Sequence, residues 1–142
     1  MNESEDRIKD KINELEEYID YLVEIIPESF EEYDSDLKTK AACERYFEKI
    51  IEACVDLAFL VIKRRDLEVP ENEESSFVIL ADNQILPDKL SKQLIDFKGM
   101  RNILAHKYGK VDDNKVYLTL SEEIERDVRE YINKVKNYSE EK

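Results

Sequence analysis

In residues 1–26 isoleucine and leucine recur at Ile8, Ile12, Leu15, Ile19, Leu22 and Ile26. The steps alternate four and three, which puts all six on one narrow face of a helix. Pro27, followed by "ESFEEYDSD", predicts that this helix ends or kinks there, because proline cannot donate to the helix ladder. The same spacing returns at Cys43, Phe47, Ile50, Cys54, Leu57 and Val61, and this run closes on Lys63, Arg64 and Arg65, charges that suit a helix C-terminus. Two long seams in succession predict an antiparallel helix pair. "DLEVPENEESS" reads as a polar linker around Pro70, and "SSFVILADNQ" as a short apolar helix after it. Pro87 and Asp88 open a further helix, since proline is favoured in a first turn. That helix runs through Leu90, Leu94, Phe97 and Leu104, and Gly109 is placed to stop it. In "KVDDNKVYLTL" the alternation of Val116, Leu118 and Leu120 predicts an extended segment. Ser121 is expected to cap a last helix, with acids in its first turns and Ile124, Val128, Tyr131 and Val135 on its buried side.

The elements add up to an all-α, up-and-down bundle of four to five helices. Two glycines and three prolines in 142 residues agree with that, and the length suits one domain with a real core. No apolar run approaches the roughly 20 residues that cross a bilayer, and the N-terminus lacks the pattern of a signal peptide. A cytoplasmic protein without membrane contact is expected. Cys43 and Cys54 would lie about 16 Å apart along one helix, too far for a disulfide, and read as buried small apolar residues.

Charge changes the picture. The net charge is −13, and residues 1–36 hold 14 acids against 3 bases. A global basic footprint for nucleic acid is absent. Yet "FKGMRNILAHKYGK", residues 97–110, carries Lys98, Arg101, Lys107 and Lys110 with no acid, and includes the only histidine and both glycines. Arg101 falls on the apolar stripe of Leu90, Leu94, Phe97 and Leu104, so its charge must meet a carboxylate or reach a wet edge. Asn102 and His106 fall on a second side with Ile95 and Gly99. A glycine inside a helix costs about 1 kcal/mol relative to alanine, which suggests close approach of another helix on that side.

Several chemistries can be set aside. Two glycines cannot make a phosphate loop, one histidine with two co-helical cysteines lacks zinc spacing, and no G-x-S-x-G elbow is present. What remains is an imidazole that can move a proton near neutral pH, a guanidinium that can grip a phosphate, a carboxamide and a phenol, all within eight residues. These parts fit phosphodiester chemistry or phosphate binding without a metal or cofactor.

"RNILAHKY", Arg101 to Tyr108, resembles the R-N-x-x-x-H-x-Y signature of the HepT-like branch of the HEPN proteins. The approach is similar too, in "EVPENEESSFVIL" and "ILPDKLSKQLIDFKGMRN", and the similarity spans roughly residues 5–135. The resemblance implies a single all-α domain over residues 1–142 that homodimerises and brings two Arg–His motifs to one cleft. It implies a metal-independent endoribonuclease toxin of a type VII toxin–antitoxin pair. Its partner would be a small nucleotidyltransferase antitoxin that silences it by transferring AMP to Tyr108. Carried over by residue, Arg101 and His106 are catalytic, Asn102 supports them, and Lys98, Lys107 and Lys110 line the rim that meets RNA. The alternative is a non-catalytic helical adaptor that presents substrate to a nucleotidyltransferase.

Overall fold

A computed structural model describes residues 3–106 and 111–140, the side chains of the latter segment as far as Tyr138. Among them every regular element is helical: α1 (Glu3–Ile25), α2 (Phe30–Ser35), α3 (Leu37–Arg64), α4 (Glu73–Asp82), α5 (Asp88–His106), α6 (Asp113–Leu118) and α7 (Ile124–Glu140). The all-α architecture expected from the spacing is therefore the observed one.

Helix starts are set by short polar side chains that satisfy the orphan N–H groups of a first turn. Asp36 accepts from the backbone of Lys38 and Thr39 at the head of α3. Asn72 and Ser75 form a reciprocal capping box, so α4 begins at Glu73, two residues earlier than its apolar run predicts. The ends of α3 and α4 turn on Asp66 and Gln84, at φ 54° and 59°. Behind them Leu67 and Ile85 donate backbone bonds to Ile62 and Leu80, which closes each end as a Schellman motif.

Both predicted seams are buried, and α1 and α3 run antiparallel: Glu5 meets Arg64, Lys11 meets Asp56 and Tyr21 stacks near Tyr46. α3 is the central helix, with a second buried stripe at Ile51, Val55, Ala58 and Ile62 facing α4 and α5. α7 lies antiparallel to α1, through Arg129–Asp20 and Lys136–Glu16. It is fixed to α3 where the Tyr131 hydroxyl donates to the Cys54 carbonyl at 2.8 Å, with the Phe77 ring edge-on to Tyr131. Cys43 and Cys54 are buried free thiols as expected, and burial pushes the Cys43 thiol up to about 11.

Two expectations fail in one place. Residues 113–118 are helical instead of extended, and Thr119–Glu123 continues as a π turn straight into α7. Val116, Leu120, Ile124 and Val128 form a buried stripe, with Tyr117, Thr119 and Asp127 buried beside it, while Leu118 is exposed. That stripe repeats every four residues, which drifts off one face of a 3.6-residue helix. The wider π turn takes up the drift. Since the chain is already helical there, Ser121 caps nothing; its hydroxyl donates to the Tyr117 carbonyl one turn back.

Candidate functional site

α5 carries the motif across the middle of the bundle, wedged against α3 and α4 by Leu90, Leu94, Phe97 and Leu104. Arg101 is half-buried on that stripe, and it meets the carboxylate its position demands. Its Nη2 donates to Glu52 Oε1 on α3 at 2.8 Å. Its Nη1 donates to Asn102 Oδ1 at 3.3 Å. Its Nε is buried and has no acceptor among the described residues. The guanidinium is thus held through Nη1 and Nη2, each of which keeps a second N–H. It lines a cavity of about 250 Å³ with Glu52, Asp56, Glu73 and Lys98 over a floor of Ile51 and Val55.

Lys98, expected at the rim, is instead 8% exposed. Its Nζ lies 3.0 Å from Glu73 and 3.0 Å from Glu74, both in the first turn of α4. It also donates to Asn102 Oδ1 at 3.4 Å. Burial alone would lower the pKa of this ammonium; the two carboxylates outweigh it and hold it above its ordinary value. Glu74 is correspondingly held below the usual carboxylate range, by its own backbone N–H first and by Lys98 next.

The structure therefore brings Lys98, Arg101 and Asn102 together in one chain of contacts, Glu73 and Glu74 to Lys98 to Asn102 to Arg101 to Glu52. His106 is exposed at the last described position of α5 and does not line the Arg101 cavity. Five residues separate it from Arg101, about 140° around a straight helix. Lys107, Tyr108 and Lys110, and the helix stop expected at Gly109, lie outside the described residues. Among the described residues no other helix packs against Gly99: a Cβ added there would meet nothing within 4 Å. That side of α5 opens instead on a groove of about 900 Å³, where Ile95, Met100 and the exposed Ile103 face Val111.

Glu52, Glu73 and Glu74 are site residues that sequence reasoning missed. The one available signal was Arg101 on an apolar stripe, which calls for an acid without saying which of 35 supplies it. Among the described residues no helix is long and apolar enough to cross a membrane, and no three potential ligands gather into a metal-binding set.

The family described as Ribonuclease HepT-like matches residues 15–135. The chain is 26% identical over 114 residues to a tRNA nuclease HepT of Aphanizomenon flos-aquae, an alignment covering 80% of this chain and 78% of that one. It is 29% identical over 89 residues to an mRNA nuclease HepT of Shewanella oneidensis, covering 63% and 66%. In fold it is similar to a tri-AMPylated Shewanella oneidensis HEPN toxin solved in complex with its MNT antitoxin, with a TM-score of 0.87 and 24% identity over 96% of this chain and 99% of that one.

Proposed function

The chain belongs to the HepT-like ribonuclease family, and from that premise we propose that it is a metal-independent endoribonuclease toxin, restrained by a nucleotidyltransferase antitoxin that attaches AMP to Tyr108. The observation that carries the reading is the Arg101 guanidinium, 23% exposed over a cavity and anchored through Nη1 and Nη2 on Asn102 and Glu52. Nη1 and Nη2 each retain a second N–H, and a guanidinium anchored in this way is suited to receive a phosphate oxygen. In the reaction a base removes the proton of the 2′-hydroxyl, the oxygen attacks phosphorus, and Arg101 offsets the charge of the phosphorane. An acid then protonates the departing 5′-oxygen, leaving a cyclic phosphate. Acid and base together call for two imidazoles, and the chain has one histidine. A two-fold homodimer supplies the second. The open face of α5 at Ile95 and Gly99 supports placing that contact there. AMP on Tyr108 would set a negative phosphate and a bulky base beside the motif and exclude RNA by charge and by occupancy.

The test is cleavage of RNA by purified, AMP-free protein, with Arg101→Ala and His106→Ala alongside. Cleavage that both substitutions abolish supports the reading; an intact, unmodified protein that cuts no RNA refutes it. Mass spectrometry of protein co-expressed with its nucleotidyltransferase should find added AMP units that Tyr108→Phe removes.

One observation favours the adaptor reading: both described cations of the motif's buried side are already matched by carboxylates of the chain itself. An adaptor is harmless when expressed alone, whereas a ribonuclease toxin arrests growth unless its antitoxin is present.

A further inference from the structure

Asn102 sits between two cations. Lys98 Nζ and Arg101 Nη1 both point to its Oδ1, at 3.4 and 3.3 Å. An ammonium and a guanidinium have donors only, and a carboxamide has one accepting end and one donating end. Two cationic donors can be served only by the oxygen. The chemistry itself fixes which way the carboxamide is turned: oxygen toward the cations, Nδ2 away from them.

The two cations are not equivalent. Arg101 has to engage a phosphate, and its grip on Asn102 is then shared with the substrate. Lys98 is beneath the surface and does not reach out. It is fixed by Glu73 and Glu74, which stand on the first turn of α4, and that turn is itself locked by the Asn72–Ser75 capping box. The anchor therefore persists whether or not Arg101 is occupied.

Resting on the ribonuclease reading, we propose that Lys98 is a positioning residue of the same site: it pins Asn102 Oδ1 so that the Nδ2 donors are presented to the RNA phosphate held by Arg101. Asn102 then gives a neutral, pre-oriented hydrogen bond to a phosphoryl oxygen, which strengthens as charge develops there. The role needs a buried, always charged lysine, and a cation exposed at the rim would not serve.

Lys98→Met suits the test. It keeps the buried stem, and Glu73 and Glu74 are half-exposed, so both remain hydrated and no charge is stranded. Steady-state cleavage of an RNA oligonucleotide is measured for the AMP-free full chain, Lys98→Met, Lys98→Arg, Asn102→Ala and Lys98→Met with Asn102→Ala. Lys98→Met should lower kcat about tenfold with KM changed less than about twofold, and Lys98→Arg should recover most of the loss. In the Asn102→Ala background Lys98→Met should do no further harm. Equal harm in that background, or an unchanged kcat in Lys98→Met, overturns the proposal. A second readout does not depend on cleavage. The side-chain amide pair of Asn102, assigned by its loss in Asn102→Ala, should shift in the ¹⁵N spectrum of Lys98→Met while the rest of the spectrum is retained. An unmoved pair overturns the proposal even if no RNA is cut. A moved pair in a protein that cuts no RNA sustains Lys98 as the anchor and overturns the ribonuclease reading alone.

Discussion

Replacing Glu52 by glutamine should tighten RNA binding. Glu52 Oε1 lies 2.8 Å from Arg101 Nη2, and the same guanidinium is the group proposed to meet the phosphate. A carboxylate and a phosphate sharing one guanidinium sit about 5–6 Å apart. Like charges at that distance repel by about 3 kcal/mol at an effective dielectric of 20 and by under about 1 kcal/mol in water. The Glu52 side chain is 43% exposed, which puts the value toward the wet limit, about 1 kcal/mol. Glutamine keeps an oxygen where the guanidinium is held and removes the charge, so KM for RNA should fall about fivefold in low salt. The gain should shrink as salt rises, because the repulsion is screened over about 10 Å at 0.1 M. Glu52→Ala removes the acceptor as well, frees the guanidinium to swing, and should lower kcat. The assay is cleavage of a short RNA at two salt concentrations with each variant. A KM that rises in Glu52→Gln, or a fall that persists unchanged in high salt, would refute the idea that Glu52 competes with substrate for Arg101.

Three further outcomes follow from the geometry. Tyr131→Phe removes the buried hydrogen bond to the Cys54 carbonyl and strands no donor, so it should cost about 1 kcal/mol, read as a fall of about 3 °C in Tm for a chain this size. For Asp127 burial pushes the carboxyl up, but hydrogen bonds from Arg126 and Gln93 outweigh it, and Glu74 is likewise held low. Depressed carboxyls stabilise above their unfolded values, so Tm should be flat above about pH 5.5 and fall as pH drops below about 4.5, with a shallower fall in Asp127→Asn; a Tm that rises on acidification contradicts this. RNA affinity should depend weakly on salt: two to four phosphate contacts across the proposed dimer would give a log–log slope of about −1.4 to −2.8 for single strands, and a slope steeper than about −5 would point to a broad basic surface instead.

Much of the fold was legible because its seams are long. Five apolar residues in alternating steps of four and three on α1, with Ile26 just past its end, and six more on α3, fit no period but the helical one. Val116, Leu118 and Leu120 are too few to separate a period of two from one of four, and the contact that decides the matter is distant: the Tyr117 hydroxyl donates to the Pro27 carbonyl, 90 residues away in the chain. The demand at Arg101 was legible for a physical reason, since a charge on an apolar stripe needs an acid. The identity of that acid was not, because helix periodicity says which residues share a face and nothing about which face of another helix arrives opposite. Lys98 shows the same limit. Its composition suggested a surface cation; only the meeting of α4 with α5 turns it into a buried one. Gly99 was read as room for a neighbouring helix, and among the described residues no helix of this chain fills it, which leaves that face of α5 for the proposed contact between two chains.

The acidity of the chain then takes on a different meaning at this site. A strongly acidic protein is a poor general binder of RNA, and the motif helix does not escape that by standing apart from acids. Its two described cations below the surface are each met by glutamates from other helices, Arg101 by Glu52 and Lys98 by Glu73 and Glu74. Those glutamates serve different ends. The pair on Lys98 holds a side chain that is only 10% exposed, its ammonium between two carboxylates, and so it makes a fixed anchor. The one on Arg101 is half in solvent and holds a guanidinium that keeps further N–H donors on Nη1 and Nη2, and so it is exchangeable. Phosphate, like carboxylate, pairs with a guanidinium in bidentate fashion, and it can share Arg101 with a hydrated carboxylate at a cost of about 1 kcal/mol. A site built this way does not attract polyanions at long range. It admits a phosphate only where geometry brings one onto Arg101, which is the behaviour expected of a ribonuclease that selects its RNA by shape and position.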